Sequence, residues 1–143
     1  MMTNMTRRIL QVTTACTSLM AGSALWADER PAAMIIAQGG LGDGSWNDTA
    51  NAGFQSGLEK TGVEGRTIES ADVAAQGEEI MRRAADGGFG LVISLEWIHG
   101  EPMEMLAKDY PDTNWVIMNQ TRTGDNIASV VFGEHEGSFL AGA

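Results

Sequence analysis

Short apolar runs recur along the chain, and stretches with helical periodicity separate them. The runs predict five short strands. They cover residues 33–37, 66–69, 91–93, 115–118 and 128–132. The run at 91–93 is continuously apolar, which is typical of a strand buried on both faces of a parallel sheet.

Between these runs, apolar residues recur three or four positions apart, as they do on one face of a helix. This spacing predicts helices over residues 49–60, 76–86 and 103–110, and a further helix from residue 134 onward. The glycine pair Gly87-Gly88 is a stop signal for the second helix. Strands that alternate with helices in this way predict an α/β fold, a parallel sheet with helices on both faces.

Ligands of such folds bind outside the carboxyl ends of the strands. We therefore expect function in the five segments that follow the strands, which we call the strand-end segments. These are residues 38–48, 70–73, 94–100, 119–124 and 133 onward.

The first strand-end segment is rich in glycine, which permits positive φ angles and a close approach to a ligand. Trp46 is unusual in this polar surrounding, and two interpretations stay open. Either Trp46 contacts a ligand at the carboxyl end of the first strand, or it packs back on the sheet as a lid. Asp48 is predicted to be the N-cap of the helix that follows.

The amino terminus has the pattern of a signal peptide over residues 1–27. Arg7 and Arg8 precede an uncharged stretch, and cleavage is expected after Ala27 or Ala24. This predicts a periplasmic or secreted protein of residues 28–143. Cys16 is the only cysteine, so no disulfide is available. A lipid anchor on Cys16 is the less favoured alternative, because threonine stands where lipoprotein motifs have leucine.

The formal net charge of −10 argues against nucleic acid or an anionic membrane as a partner. No cluster with metal-ligand spacing is visible, and His99 and His135 both stand in polar contexts. The glycines do not match a dinucleotide fingerprint, since Trp46 occupies the place of its third small residue, although Glu69 mimics the ribose-binding acid. We therefore expect no metal and no cofactor, and binding rather than catalysis; a secreted enzyme stays an alternative.

Three stretches resemble the BMP family of periplasmic solute-binding proteins, the basic membrane lipoproteins that include purine-nucleoside receptors of ABC uptake systems. They are GGLGDGSWNDTANAGF, YPDTNWVIMN and DNIASVVFGEHEGSFLAGA, and the resemblance covers residues 32–143. It implies a type I periplasmic-binding-protein fold, in which a hinge joins two similar α/β lobes. Family members are about twice as long, so the chain is expected to be the first, N-terminal lobe, with the second lobe absent.

The resemblance also implies ligand contacts. The family's first-loop motif, Asp-x-Ser-Phe-Asn, corresponds here to Asp43, Ser45, Trp46 and Asn47. In nucleoside-binding members the aromatic residue of this motif stacks on the base, a role for which Trp46 is suited.

Two further strand ends contribute candidates. Glu96 and Trp97 add an acid and a second aromatic after the third strand, where Trp97 is either a pocket wall or a packed lid. Asn119 stands where nucleoside-binding members often have an aspartate that accepts from ribose hydroxyls. An amide has one acceptor oxygen and cannot chelate a diol as a carboxylate does. The amide therefore argues against ribose recognition, and a free base or another heterocycle becomes an alternative ligand to a nucleoside.

The resemblance implies a monomeric receptor that captures its ligand by hinge closure and is read by an ABC permease. Two alternatives use the same residues. The chain could be an extracytoplasmic ligand-sensing domain of a signalling system, or a truncated and non-functional relic.

Overall fold

The computed structural model describes residues 30–142. The predicted signal peptide, with Cys16, lies outside the described residues. Five parallel strands form one sheet in the order β2-β1-β3-β4-β5. The strands are β1 (Ala32–Ile35), β2 (Gly65–Ile68), β3 (Leu91–Ser94), β4 (Asn114–Met118) and β5 (Ile127–Val130).

The helices are α1 (Trp46–Thr61), α2 (Val73–Asp86), α3 (Gly100–Asp109) and α4 (Glu134–Gly142), with a short 3-10 turn at Trp97–His99. The predicted α/β class and element order are confirmed. Helices α1, α2 and α3 each begin three residues earlier than predicted, so Trp46 is the first residue of α1. No helix within residues 30–142 is long and apolar enough to cross a membrane.

The two faces of the sheet are covered by different helices. Helices α2 and α3 pack on one face, around a core in which Met81, Leu106 and Trp115 are almost completely buried. Helix α1 lies on the other face, where its half-buried Phe54 packs against a small cluster that includes Met34. An apolar cavity of about 470 Å³ remains between α1 and the sheet.

The strand order places a topological switch point between β1 and β3. The chain leaves β1 for β2 in one direction and then crosses back over β1 to form β3. Loops that diverge at such a point open a crevice beyond the strand ends. Here the two loops are joined at their base, since the Leu95 N–H donates to the Ile35 carbonyl over 3.0 Å.

Candidate ligand-binding site

The loop after β1 is folded around the carboxylate of Asp43. This carboxylate accepts the backbone N–H groups of Ser45 (2.9 Å), Asn47 (2.9 Å) and Asp48 (3.1 Å). These bonds, those from Asn47 and Ser45 above all, hold the pKa of Asp43 below 3.8. Asp43 therefore caps α1, because it satisfies amides that have no partner within the helix.

The prediction that Asp48 is the N-cap is wrong. Asp48 lies inside the first turn of α1, and its carboxylate points back to the loop. It accepts the N–H groups of Gly42 and Gly44, both at 2.8 Å. The φ angles of these glycines are +90° and +60°, which L side chains rarely adopt, so the turn depends on glycine.

Asn47 fixes the loop to the end of β1. Its side chain is only 2% exposed. Its Oδ1 accepts the Ala37 N–H over 3.0 Å, and its Nδ2 donates to the Gly40 carbonyl over 3.0 Å. Asp43 and Asn47 thus shape the loop in this structure, whereas Ser45 is exposed and donates its N–H to Asp43.

Trp46 is partly open to solvent at the start of α1, with 36% of its surface exposed. Its ring meets the ring of Phe132 edge-on, with centroids 5.6 Å apart. Phe132 follows β5, so this contact ties the last strand end to the first. Sequence reasoning missed Phe132 because it reads as the last residue of the fifth apolar run.

Glu96 and Trp97 lie in the loop after β3, on the other side of the switch point. Glu96 is 6% exposed, and its carboxylate accepts the Gln38 N–H over 3.0 Å. The hydrogen bond therefore joins the two loops of the crevice. Trp97 is 63% exposed, and no aromatic ring among residues 30–142 stacks on it.

Asn119 follows β4 directly and has a φ angle of +57°. Its N–H donates to the Val130 carbonyl, and its Nδ2 donates to a carboxylate oxygen of Glu134 over 2.8 Å. The structure thus places a carboxylate beside the amide at this strand end. Glu134 was not among the predicted site residues, because the family resemblance pointed only to the position of Asn119 at this strand end.

A cavity of about 390 Å³ opens beyond β1 and β2. Its lining is Gln38, Gly39, Gly40, Glu69, Ser70 and Ala71. Glu69 accepts the Leu41 N–H over 2.9 Å, and so braces the glycine-rich loop. From the sequence Glu69 was only a mimic of the ribose-binding acid of dinucleotide folds. Its bracing role depends on the pairing of β2 with β1, which no local pattern shows.

His99 is buried, which its polar sequence context did not predict. It is 1% exposed and bonded to Ser94 and Val73. Burial is the main cause that lowers the pKa of His99 below 6.5, so the imidazole is neutral at physiological pH.

The strand-end segments carry mainly negative charge. Arg122 is the one arginine or lysine in their sequences, and its guanidinium contacts Gln120 (2.7 Å) and Glu104 (3.4 Å). Aspartates and glutamates outnumber arginines and lysines in these segments, and Glu96 is among the most buried of these acids. This charge disfavours an anionic group such as a phosphate relative to a neutral or cationic one. Within the described part of the chain, no group of three or more histidines, cysteines or acids could hold a metal ion.

Taken together, the fold and the loops define a parallel α/β lobe with a crevice at its switch point. The family model for Bmp, described as ABC transporter substrate-binding protein PnrA-like, matches residues 31–143. The chain belongs to the Bmp family, as its resemblance indicated.

Known relatives agree with this assignment. An ABC transporter solute-binding protein of Aeropyrum pernix superposes with a TM-score of 0.72 at 28% identity, over 79% of this chain and 31% of its own. A solute-binding protein of Conexibacter woesei shares the fold, with a TM-score of 0.60 at 24% identity over 70% and 34% of the two chains. An uncharacterised lipoprotein of Pyrococcus furiosus is 24% identical over 77% of this chain and 28% of its own. The chain thus spans about a third of the length of these relatives.

Proposed function

We propose that this chain forms one lobe of an extracytoplasmic solute-binding site that captures a nitrogen heterocycle, a nucleobase or nucleoside, for an ABC permease. Family membership supports the binding role, and the lipoprotein relative supports a place outside the cytoplasm. The ligand is held by stacking and hydrogen bonds and is not converted. The longer relatives support a second lobe that closes over the ligand about a hinge.

The buried carboxylate of Glu96 at the switch point carries this proposal. It accepts the Gln38 N–H, and a hydrogen bond from a ligand N–H group to a carboxylate is charge-assisted and stronger than one between neutral groups. Trp46 begins α1 at the end of the loop after β1, and Trp97 directly follows Glu96; both keep exposed surface on which a planar ring can stack. Donor edges and flat faces are the two features that nucleobases share.

Saturation-transfer NMR on the full chain tests the proposal, because it detects the weak binding expected of a single lobe. Inosine and hypoxanthine are expected to receive saturation from the wild-type protein. Trp46→Ala should weaken their binding about tenfold or more, since a stacked aromatic is lost. Met105→Ala is the control, because Met105 is likewise exposed, at 51%, and its position in the sequence, on α3, lies outside the strand-end segments. Equal transfer in both variants would contradict the stacking role.

Charge and ribose preference are tested with the same method. Inosine 5′-monophosphate should bind more weakly than inosine, since its phosphate faces the acidic strand ends. Asn119→Asp combined with Glu134→Gln tests the diol, because it restores the carboxylate that nucleoside-binding members often have at this position without setting it against the carboxylate of Glu134. We expect it to favour inosine over hypoxanthine relative to the wild type. An unchanged ratio would remove Asn119 from the set of ligand contacts.

A further inference from the structure

A buried polar cluster at the carboxyl end of β3 connects three strand-end segments. The His99 imidazole accepts a hydrogen bond at Nδ1 from the Ser94 hydroxyl over 2.7 Å, and donates from Nε2 to the Val73 carbonyl over 2.8 Å. A carbonyl oxygen can only accept, so Nε2 carries the proton of the neutral ring. Ser94 and His99 are 0% and 1% exposed.

The hydrogen bonds of this cluster continue from Ser94 to the crevice. The Ser94 hydroxyl oxygen also accepts the Glu96 N–H over 3.2 Å, and the Glu96 carboxylate accepts the Gln38 N–H over 3.0 Å. The backbone N–H of His99 closes the turn by donating to the Glu96 carbonyl over 3.2 Å. A continuous chain of hydrogen bonds therefore runs from the start of α2, through the loop after β3, to the loop after β1.

Helix α2 is shaped to receive the ring. A Cβ at Gly77 would lie 2.0 Å from Nε2 of His99, well inside any permitted contact. The imidazole thus lies directly against the helix backbone. Val73 and Gly77 belong to one turn of α2, so the helix supplies both the acceptor and the space.

We propose that His99 is a positioning residue: it sets the Glu96 carboxylate and the Gln38 loop relative to each other, and so fixes the geometry of the crevice before a ligand arrives. The importance of His99 for ligand binding rests on the function proposed above. Its effect on the relative positions of the Glu96 carboxylate and the Gln38 loop is independent of that function. The ring side that matters is Nδ1, because the Ser94 hydroxyl links it to Glu96.

Backbone amide exchange in the full chain, measured by NMR, tests this directly. His99→Asn keeps an acceptor near the place of Nδ1, whereas His99→Gln keeps only a donor near the place of Nε2. We expect exchange at the Gln38 amide to be about fivefold faster in His99→Gln and near wild type in His99→Asn. Ser94→Ala, a small change that removes the link, should behave like His99→Gln. His135→Asn is the control, since the His135 side chain is 85% exposed.

The Trp115 amide, which donates to the Asn126 carbonyl on the far side of the domain, reports overall stability. Faster exchange confined to the crevice amides supports positioning. Equal acceleration at Trp115 and Gln38, or no difference between the two His99 variants, overturns it. Saturation transfer to inosine on the same variants separates the two proposals. If the wild type transfers none, the proposed function fails, while the Gln38 amide still decides the role of His99.

Discussion

The carboxylates of Asp43 and Asp48 bind backbone N–H groups on opposite sides of the first loop. The Asp48 N–H donates to the Asp43 carboxylate over 3.1 Å, while the Asp48 carboxylate accepts the N–H groups of Gly42 and Gly44 on the opposite side of the turn. The two carboxylates thus satisfy backbone donors that a tight glycine turn leaves exposed. Two acids of the family motif region therefore hold the backbone of the loop that leads to Trp46, and they do so without a ligand.

Asp43→Asn should lower the thermal unfolding midpoint at neutral pH. The amide keeps one acceptor oxygen, whereas the carboxylate uses both of its oxygens on backbone amides. The pKa of Asp43 is below its unfolded value of 3.8, so its stabilisation is complete above that pH and is lost as the pH falls through the folded pKa. Thermal unfolding followed by circular dichroism measures this. Glu59→Gln on the exposed side of α1 is the control, and an equal midpoint in both variants would contradict the capping role.

The strands and the order of elements could be predicted because they depend on local patterns. The continuous run at 91–93 became β3, and Gly87-Gly88 ended α2 where the stop signal stood. The start of α1 could not be predicted in this way. Asp48 has the right residue type for an N-cap, but Asp43 reaches the first amides of the helix, and that depends on the path of the glycine turn.

The site was predicted less completely, for a physical reason. Trp46, Glu96 and Asn119 do lie at strand ends, where the alternation of strands and helices placed them. Their partners come from other elements. His99 bonds to a carbonyl 26 residues away, and its ring fits only because Gly77 lacks a side chain. No local pattern in the sequence encodes such a pair.

The backbone of Asn119 provides a test of strain at the fourth strand end. Its φ angle of +57° costs an ordinary L residue about 1–2 kcal/mol, which glycine avoids. Asn119→Ala and Asn119→Gly both lose the hydrogen bond to Glu134, so the difference between them isolates the backbone term. We expect the alanine variant to have the lower free energy of unfolding by about 1 kcal/mol in urea titrations. Equal values would show that the loop relaxes.

His99 should make stability depend on pH near neutrality. Above pH 6.5 the ring is neutral in both folded and unfolded chains, so it contributes no slope. Below pH 6.5 the unfolded chain binds a proton that the folded chain resists, because burial lowers the folded pKa. Stability therefore falls as the pH falls, by at most about 1.4 kcal/mol per pH unit for one proton.

Urea unfolding of His99→Gln and His135→Asn between about pH 8 and about pH 5 checks this prediction. The first variant should lose the slope that His99 contributes, and the second should keep it. A slope that disappears with His135→Asn instead would assign the effect to the exposed histidine.

Gly77 and Gly53 offer a matched pair of helix glycines with opposite surroundings. A Cβ at Gly77 would lie 2.0 Å from the His99 ring, whereas a Cβ at Gly53 on α1 would meet nothing within 4 Å. Gly77→Ala should therefore cost about 1–3 kcal/mol through overpacking, and Gly53→Ala should gain up to about 1 kcal/mol through helix propensity. Combining Gly77→Ala with His99→Asn should recover part of the loss, because the shorter side chain clears the added methyl group. Additive losses in the double variant would mean that the ring is not held against Gly77, and the double-mutant cycle by urea unfolding decides between these outcomes.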